Sequence, residues 1–505
     1  MLNRKLVCAL VLLLPALALL KTPSESRARH NAGEAFAITN ARIVPVAAPV
    51  IEKGTIVIRD GLIAAVGANV TAPADARIID GAGLTVYPGL IDANTSLGMP
   101  QPSPAARPAG GGGGGGGGGQ GQGGPSPMAS ALNSTQPAGL QPEIQAADYL
   151  RPGGEQIESE RNAGITTVLT APRTGIFIGQ SAVINLDGDS APEMIVRSPV
   201  ALHVGFTSLR GGYPGSLMGV FAAIRQAFLD AQRYDEAQKI YARSPRGVRR
   251  PEPDKSLEAL IPALNRAMPV VFHADRQREI ERAIGLAQEF KLRGIIAGGE
   301  EAWKVADRLR EAQMPVLLSL NFPRRTTAAS AEADPEPLRV LRGRVEAPKS
   351  PARLATARVK FAFQSGGMTA IDDFRGNAAK AIENGLSTDD AIKAMTLSAA
   401  EILSVSDRMG SIEVGKIANL TITRGNLFDR ASRIAYLFID GRQIELRPAG
   451  PPAAPQSSPT ATPAETPPPM AQSKSRSVPS ASADGLMARH GSSMNKAFRS
   501  VRISN

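Results

Sequence analysis

Two histidines stand at the ends of apolar runs, where an imidazole could bind a metal ion or transfer a proton. His203 follows the run PVAL, and His273 ends the run MPVVFH. Both runs have the length of a buried strand. A histidine at a strand end is more often a hydrogen-bonded structural residue than a ligand, so both interpretations stay open for this pair.

A second candidate site lies in residues 86–100, which read VYPGLIDANTSLGMP. The Pro-Gly turn is followed by a short apolar run, and then by the small polar residues Asn94 and Ser96. Residues two apart on a strand point to the same side, so these two side chains are predicted to face one site. Neither amide nor hydroxyl is a preferred zinc ligand, since zinc favours imidazole, thiolate or carboxylate.

The elements that position these residues repeat as strand and helix. Between residues 268 and 321, the predicted strands MPVVFH, GIIA and PVLLSL begin about 23 residues apart and are separated by two helical patterns. A further strand, VKFAF, is predicted at 359–363, and helices are predicted over 146–161 and 388–403. This rhythm favours a (β/α)8 barrel, in which the C-terminal strand ends carry the chemistry.

Two motifs resemble the amidohydrolase superfamily, whose members include imidazolonepropionase and dihydroorotase. YPGLIDA at 87–93 resembles its PGLIDxHxH signature, and GSIEVGKIANL at 410–420 resembles the segment after its last barrel helix. The resemblance covers residues 35–100 and 144–447. It implies an α/β fold: a (β/α)8 TIM-type barrel plus a small β-sandwich built from N- and C-terminal segments. Residues 35–85 fit, because they alternate like short strands with a turn at Asp60-Gly61.

The resemblance also implies a metal centre. Active members hold one or two divalent ions with a first-strand histidine pair, a lysine or acid on the fourth strand, histidines on the fifth and sixth, and an aspartate on the eighth. The metal lowers the pKa of bound water, and the aspartate takes its proton. The first-strand positions here are Asn94 and Ser96, so the histidine pair is missing.

The remaining positions are only partly filled. His203 falls near the fourth-strand position and His273 matches the fifth, which makes them the candidate metal ligands. Glu300 is the only possible ligand after the sixth strand. The eighth strand ends in Gln364 and Ser365, which cannot act as a carboxylate base. The site is expected to hold one divalent metal such as zinc, or none, with the other residues lining a substrate pocket: Asn94, Ser96, Glu300, Gln364 and Ser365.

The ends of the chain differ from its middle. Residues 1–30 form a predicted signal peptide and leader, with Arg4 and Lys5 before an apolar run at 6–20 that is short for a membrane span of roughly 20 residues. An exported, periplasmic or secreted protein without a stable membrane span is expected. The predicted order continues with the N-terminal β-sandwich segment (31–85), the barrel (86–409) with a Gly/Pro-rich insertion at 101–142, the C-terminal β-sandwich segment (410–447) and a disordered tail (448–505).

The overall charge of +11 does not indicate nucleic-acid binding, because it is concentrated at the ends. Residues 1–30 and 448–505 each carry +4, which leaves +3 for residues 31–447. A nucleic-acid-binding domain would carry a basic face.

Two functions are therefore carried forward. The first is a hydrolase of non-peptide C–N bonds, in an amide or cyclic amide, with a reduced or rearranged metal site. The second is a catalytically inactive relative that binds a small amide-type ligand or assembles with an active homologue. A homo- or hetero-oligomer is compatible with either.

Overall fold

The structure, a computed structural model, describes residues 35–100, 139–209, 213–325, 336–368, 370–429 and 431–447. The predicted signal peptide and leader, most of the predicted insertion (101–138) and the predicted disordered tail lie outside these residues. Residues 139–142, the end of the predicted insertion, are described: Leu140 is buried and forms a bridge with Phe177.

Segments from both ends of the described chain form one sheet, the terminal sheet. Its order is β18-β17-β16-β5-β1-β2-β3, with β4 paired to β1. The N-terminal and C-terminal segments meet where β5 pairs antiparallel with β16. The two segments therefore combine as predicted, whereas the predicted β-sandwich form is not confirmed. The strands are β1 (Ala35–Ile43), β2 (Ile51–Arg59), β3 (Leu62–Gly67), β4 (Ala76–Asp80), β5 (Leu84–Pro88), β16 (Leu420–Arg424), β17 (Arg433–Ile439) and β18 (Arg442–Ile444).

Two hairpin turns of this sheet pack against each other. Asp60-Gly61 joins β2 to β3 and Asp440-Gly441 joins β17 to β18, with φ between +50° and +78° at all four residues. Two consecutive residues with positive φ are typical of a type I′ turn, whose twist suits an antiparallel hairpin. A Cβ on Gly441 would lie 2.6 Å from the Cα of Gly61, so this close approach requires glycine.

Ten further strands form two mixed sheets. One has the order β10-β9-β7-β6, and the other has the order β15-β14-β13-β12-β11-β8. Strands β11 to β15 are parallel, with helices in the connections, as the strand–helix rhythm predicted. The strands are β6 (Leu90–Thr95), β7 (Ile165–Thr170), β8 (Phe177–Gln180), β9 (Ala182–Asn185), β10 (Ile195–Arg197), β11 (Leu202–Gly205), β12 (Val270–Ala274), β13 (Gly294–Gly298), β14 (Val316–Ser319) and β15 (Phe361–Gln364).

The fold is thus TIM-barrel-like, but the described strands do not close into the expected (β/α)8 ring. The departure begins after β7, where the chain enters β8 and β9 without an intervening helix. Short connections reverse the chain direction, and β9 accordingly pairs antiparallel with β7 while β8 pairs antiparallel with β11. No backbone ladder joins the two sheets among the described strands.

The helices cover the parallel strands. They are α1 (Ala146–Tyr149), α2 (Glu155–Asn162), α3 (Ala191–Met194), α4 (Leu217–Arg243), α5 (Lys255–Leu264), α6 (Gln277–Glu289), α7 (Ala306–Glu311), α8 (Leu338–Glu346), α9 (Ser350–Thr356), α10 (Asp373–Glu383), α11 (Thr388–Met395) and α12 (Leu397–Ile402), with 3₁₀ turns at Ala302–Val305 and Ala347–Lys349. No helix in the described part of the chain is long and apolar enough to cross a membrane.

Two predicted helices are each divided. The helix predicted over 146–161 breaks between α1 and α2, where Gly153 and Gly154 have φ of +78° and +98°. A right-handed helix cannot continue through positive φ. The helix predicted over 388–403 divides at Thr396, whose φ of −138° and ψ of −93° are not helical.

The parallel strands bury apolar side chains on both faces. One cluster between the strands includes Ile91, Val271, Ile295 and Leu317, each at most 4% exposed. A larger cluster lies between strands and helices and includes Phe272. Strands buried on both faces are typical of parallel sheets covered by helices.

Candidate active site at the carboxyl strand ends

The predicted site residues on β6, β12 and β15 lie at one end of the strands, whereas His203 on β11 is fully buried and lines no cleft there. Two adjoining clefts open there and share Asn94, Arg173, His273 and Gly366. The first mouth cleft, of about 510 Å³, also takes residues from α2 and from the loop after β15. The second mouth cleft, of about 730 Å³, takes residues from the loops after β11, β12 and β13. Both volumes are typical of small-molecule sites.

The two histidines are direct neighbours. Nδ1 of His203 lies 2.9 Å from Nε2 of His273, within hydrogen-bond distance. Burial lowers the pKa of His203 well below its ordinary value, and the nearby His273 adds to this. Burial also lowers the pKa of His273 to about 4. Both rings are therefore neutral near pH 7, and one donates its proton to the other.

Asn94 and Gln364 form an amide bridge between two strands that share no backbone ladder. Nδ2 of Asn94 donates to Oε1 of Gln364 at 2.7 Å, and Nε2 of Gln364 donates to the Leu317 carbonyl at 2.6 Å. Gln364 is 2% exposed. The bridge links β6, β15 and β14, and it lies where the resemblance implies a first-strand metal ligand and a catalytic aspartate.

Asp92 makes a second link between β6 and the end of β15. Its Oδ1 accepts from the backbone amides of Ser365, at 3.0 Å, and Asn94, at 3.2 Å. Its Oδ2 is buried and has no hydrogen-bond partner among the described residues. Burial raises the pKa of Asp92 to about 6, which the hydrogen bonds from Ser365 and Asn94 partly oppose. Ser365 thus contributes its backbone to the site.

Arg173 and Glu160 reach the first mouth cleft, and the sequence did not indicate either. The guanidinium of Arg173 donates to the hydroxyl of Ser96, and no carboxylate pairs with it in the described part of the chain. Arg173 follows β7, so extending the strand-end rule to that strand would have identified it. Glu160 comes from α2 and is 8% exposed. Its position in the acidic segment EQIESERN carries no signal that could have revealed it.

One carboxyl oxygen of Glu160 is unpaired within the described ranges. Its Oε2 is buried and makes no hydrogen bond there. Burial raises the pKa of Glu160 well above its ordinary value, and the negative charge of Asp92 adds to the shift. The folded state therefore favours the neutral carboxyl of Glu160. This contribution to stability is present below the unfolded-state pKa of Glu160, and it is lost as the pH rises through the folded-state pKa.

Replacing Glu160 by glutamine is accordingly expected to stabilise the protein relative to the wild type as the pH rises from about 4 to about 8, because glutamine stays neutral. Thermal unfolding measured across this range would check it. Glu155→Gln, an exposed change on the same helix, serves as the control and should show no such trend. A constant difference between Glu160→Gln and wild type at every pH would contradict the assignment.

Glu300 is exposed and lines the second mouth cleft, but it is not part of the amide bridge. It stays a candidate lining residue, and its backbone lies in the loop after β13. Among the described residues, no three histidine, cysteine, aspartate or glutamate side chains lie close enough together to hold a metal ion. Catalytic zinc usually has three protein ligands. The two imidazoles, whose facing nitrogens bond each other, do not fit the divalent metal that the resemblance implies.

Comparison with known proteins agrees with the fold. The sequence profile of the Amidohydrolase family matches residues 354–444. The crystal structure of an amidohydrolase from Thermotoga maritima MSB8 superposes with a TM-score of 0.66 at 25% identity, covering 82% of this chain and 100% of that one. The predicted resemblance to the amidohydrolase superfamily is confirmed. A prolidase complexed with N-methylphosphonate-L-proline (17% identity, TM-score 0.48) and a molinate hydrolase (16%, TM-score 0.44) each cover 82% of this chain, and 100% and 95% of their own. No curated protein matches the chain.

The amidohydrolase profile covers the end of the barrel-like region. It includes β15, the helices α10 to α12 and the strands β16 to β18 of the terminal sheet, together with GSIEVGKIANL at 410–420. It includes neither His203 nor His273. The segment that matches the family profile is therefore separate in sequence from most of the residues that line the mouth clefts.

Proposed function

We propose that this amidohydrolase-type barrel binds a small amide-type molecule with a carboxylate at its mouth, without metal-dependent hydrolysis. The observation that carries the proposal is the bridge from Asn94 to Gln364 and on to Leu317. At the positions where the resemblance implies a metal ligand and a carboxylate base, two neutral amides share a hydrogen bond. Neither can supply the negative charge that a divalent ion or a proton transfer needs.

The free donors and acceptors of the clefts suit such a ligand. Arg173 has a guanidinium with no carboxylate partner in the described part of the chain, and guanidinium binds carboxylates through paired hydrogen bonds. Oδ1 of Asn94 is buried, has no partner in the part of the chain that the structure describes, and could accept from an amide N–H. Together they favour a ligand that carries both groups.

A second candidate function is hydrolysis of a non-peptide C–N bond. The similarity to the T. maritima amidohydrolase over its whole length favours it. So does the neutral His273, because a neutral imidazole at the cleft wall can accept a proton. Assembly with an active homologue is the third role that the sequence predicts, and it is compatible with ligand binding at the mouth.

Replacing Arg173 by glutamine is expected to weaken binding of an N-acetylated amino acid by about tenfold or more, because a charge-assisted hydrogen bond is lost. Isothermal titration against N-acetylated amino acids and their uncharged C-terminal amides would measure it. The amides should bind wild type and variant equally. Arg278→Gln, an exposed change outside both clefts, is the matched control.

Two outcomes would contradict this proposal. One is that neither compound binds the wild-type protein. The other is turnover of the N-acetylated compound that is lost in His273→Ala, which would establish the second candidate instead.

A further inference from the structure

A separate cleft of about 780 Å³ lies at the opposite ends of the strands from the mouth. It is formed where β12, β13, β14 and β15 begin and where the helices before them end. None of its lining residues belongs to either mouth cleft. The function proposed above makes no use of it.

This basal cleft is strongly basic. One glutamate, Glu401, is the only acidic residue among those that line it, against six exposed cationic side chains: Arg266, Lys291, Arg293, Arg310, Arg358 and Lys360. Two of the six are neutralised, since Lys360 pairs with Glu401 at 2.8 Å and Arg310 pairs with Asp307 at 3.1 Å. The other four have no carboxylate partner within the described ranges. Like charges gathered in one concavity repel each other and attract an anion.

Cations near helix ends have a simpler explanation, because the C-terminal end of a helix carries partial negative charge. Two of the four fit it. Nη1 of Arg266 donates to the Lys291 carbonyl at 3.0 Å, and Nη1 of Arg293 donates to the Arg266 carbonyl at 3.4 Å. Each of these guanidiniums still has further N–H groups, so capping uses only some of its capacity.

Lys291 and Arg358 also follow helix ends, but capping hydrogen bonds do not use their charges. Their side chains make no hydrogen bond or ion pair with any described residue. Their φ values are +55° and +58°, at positions after a helix where glycine or asparagine is usual, and Arg266 has a similar φ of +61°. Charged side chains thus stand at three positions where the backbone favours a small neutral residue, and all three line the same cleft.

We propose that the basal cleft binds a small molecule with several negative charges, of the polyphosphate or polycarboxylate class. The volume is that of a small-molecule site. Guanidinium groups bind phosphate and carboxylate oxygens in pairs, and a lysine adds a movable point charge. The cationic side chains of the lining favour an anionic ligand over a neutral one.

The test is isothermal titration of the full chain with tripolyphosphate and, separately, with citrate at low salt. Lys291→Gln/Arg358→Gln is expected to weaken binding by about tenfold or more. The double variant Lys53→Gln/Arg433→Gln removes the same charge from exposed positions on the terminal sheet and should bind like wild type. A loss of binding in Lys291→Gln/Arg358→Gln that Arg173→Gln does not reproduce separates this site from the mouth. The stronger of the two anions identifies the class.

Thermal unfolding without anion shows that the cleft variant is folded, and it should be at least as stable as wild type because charge repulsion is relieved. Three results would overturn the proposal: no binding of either anion, equal weakening in both double variants, or binding to anionic lipid vesicles alone. The first removes the site, the second shows non-specific attraction, and the third makes the region a membrane-facing surface.

Discussion

Replacing Gln364 by glutamate is expected to lower the free energy of unfolding by about 3 kcal/mol at about pH 7.5, because the change buries a charge without a partner. Gln364 is almost fully buried, and its Nε2 donates to the Leu317 carbonyl. A carboxylate in the same place would bring one of its oxygens next to the Leu317 carbonyl oxygen, and both atoms are hydrogen-bond acceptors. The side chains have nearly the same size, so packing is not the cause of the loss.

The loss should depend on pH in a defined direction. Burial would raise the pKa of the introduced carboxyl above its ordinary value of about 4.3, so the folded state favours the protonated form, which can donate to Leu317. Stability is then present below the unfolded-state pKa and is lost as the pH rises through the folded-state pKa. The difference from wild type should therefore be smaller at about pH 5 than at about pH 7.5.

Urea unfolding at both pH values would measure this. Gln156→Glu, an exposed change in the first mouth cleft, is the matched control and should alter stability little. An equal loss at both pH values, or none, would show that the amide bridge is not what Gln364 provides.

Replacing Gly441 by alanine is the second large expected effect, again about 3 kcal/mol of lost stability. Its φ of +75° is costly for any residue with a Cβ, by about 1–2 kcal/mol. The added Cβ would also lie 2.6 Å from the Cα of Gly61, so the two turns must separate. That movement disturbs the neighbouring contacts of Asp440, which joins β17 to the buried side chains of Asn185 and Asn419.

Gly415→Ala separates the two costs. Its φ is +88°, but an added Cβ would meet no atom within 4 Å, so this control should lose only the backbone contribution. Urea unfolding of both variants would measure the difference. A loss in Gly441→Ala no greater than in Gly415→Ala would mean that the packing of the two turns does not contribute.

The strand–helix rhythm was predictable because its signal is local. The apolar runs around His273 and at 294–298 recur at the spacing of a parallel repeat, and these strands form as expected. The reversal after β7 was not predictable in this way. Two short buried runs form the reversed strands, Phe177–Gln180 and Ala182–Asn185. A short apolar run does not indicate whether the strand will pair parallel or antiparallel.

The site was predictable only where a strand places the residue. Asn94 and Gln364 follow from strand positions, and the structure places both at the mouth. His203 also follows from a strand position, but it is fully buried against His273 and lines neither cleft. Their bonds do not follow from sequence: the amide bridge joins residues 270 apart in the chain. Glu160 reaches the cleft from a helix, so a rule about strand ends does not identify it.

The most direct test of the account is the metal content of the purified, zinc-supplemented protein by elemental mass spectrometry, together with that of His273→Ala. The account predicts that both proteins are folded and contain far less than one metal ion per chain, because two neutral imidazoles and an amide bridge do not form a divalent-metal site. Near-stoichiometric metal in the wild type that disappears in His273→Ala would contradict it and would establish a metal centre at the mouth.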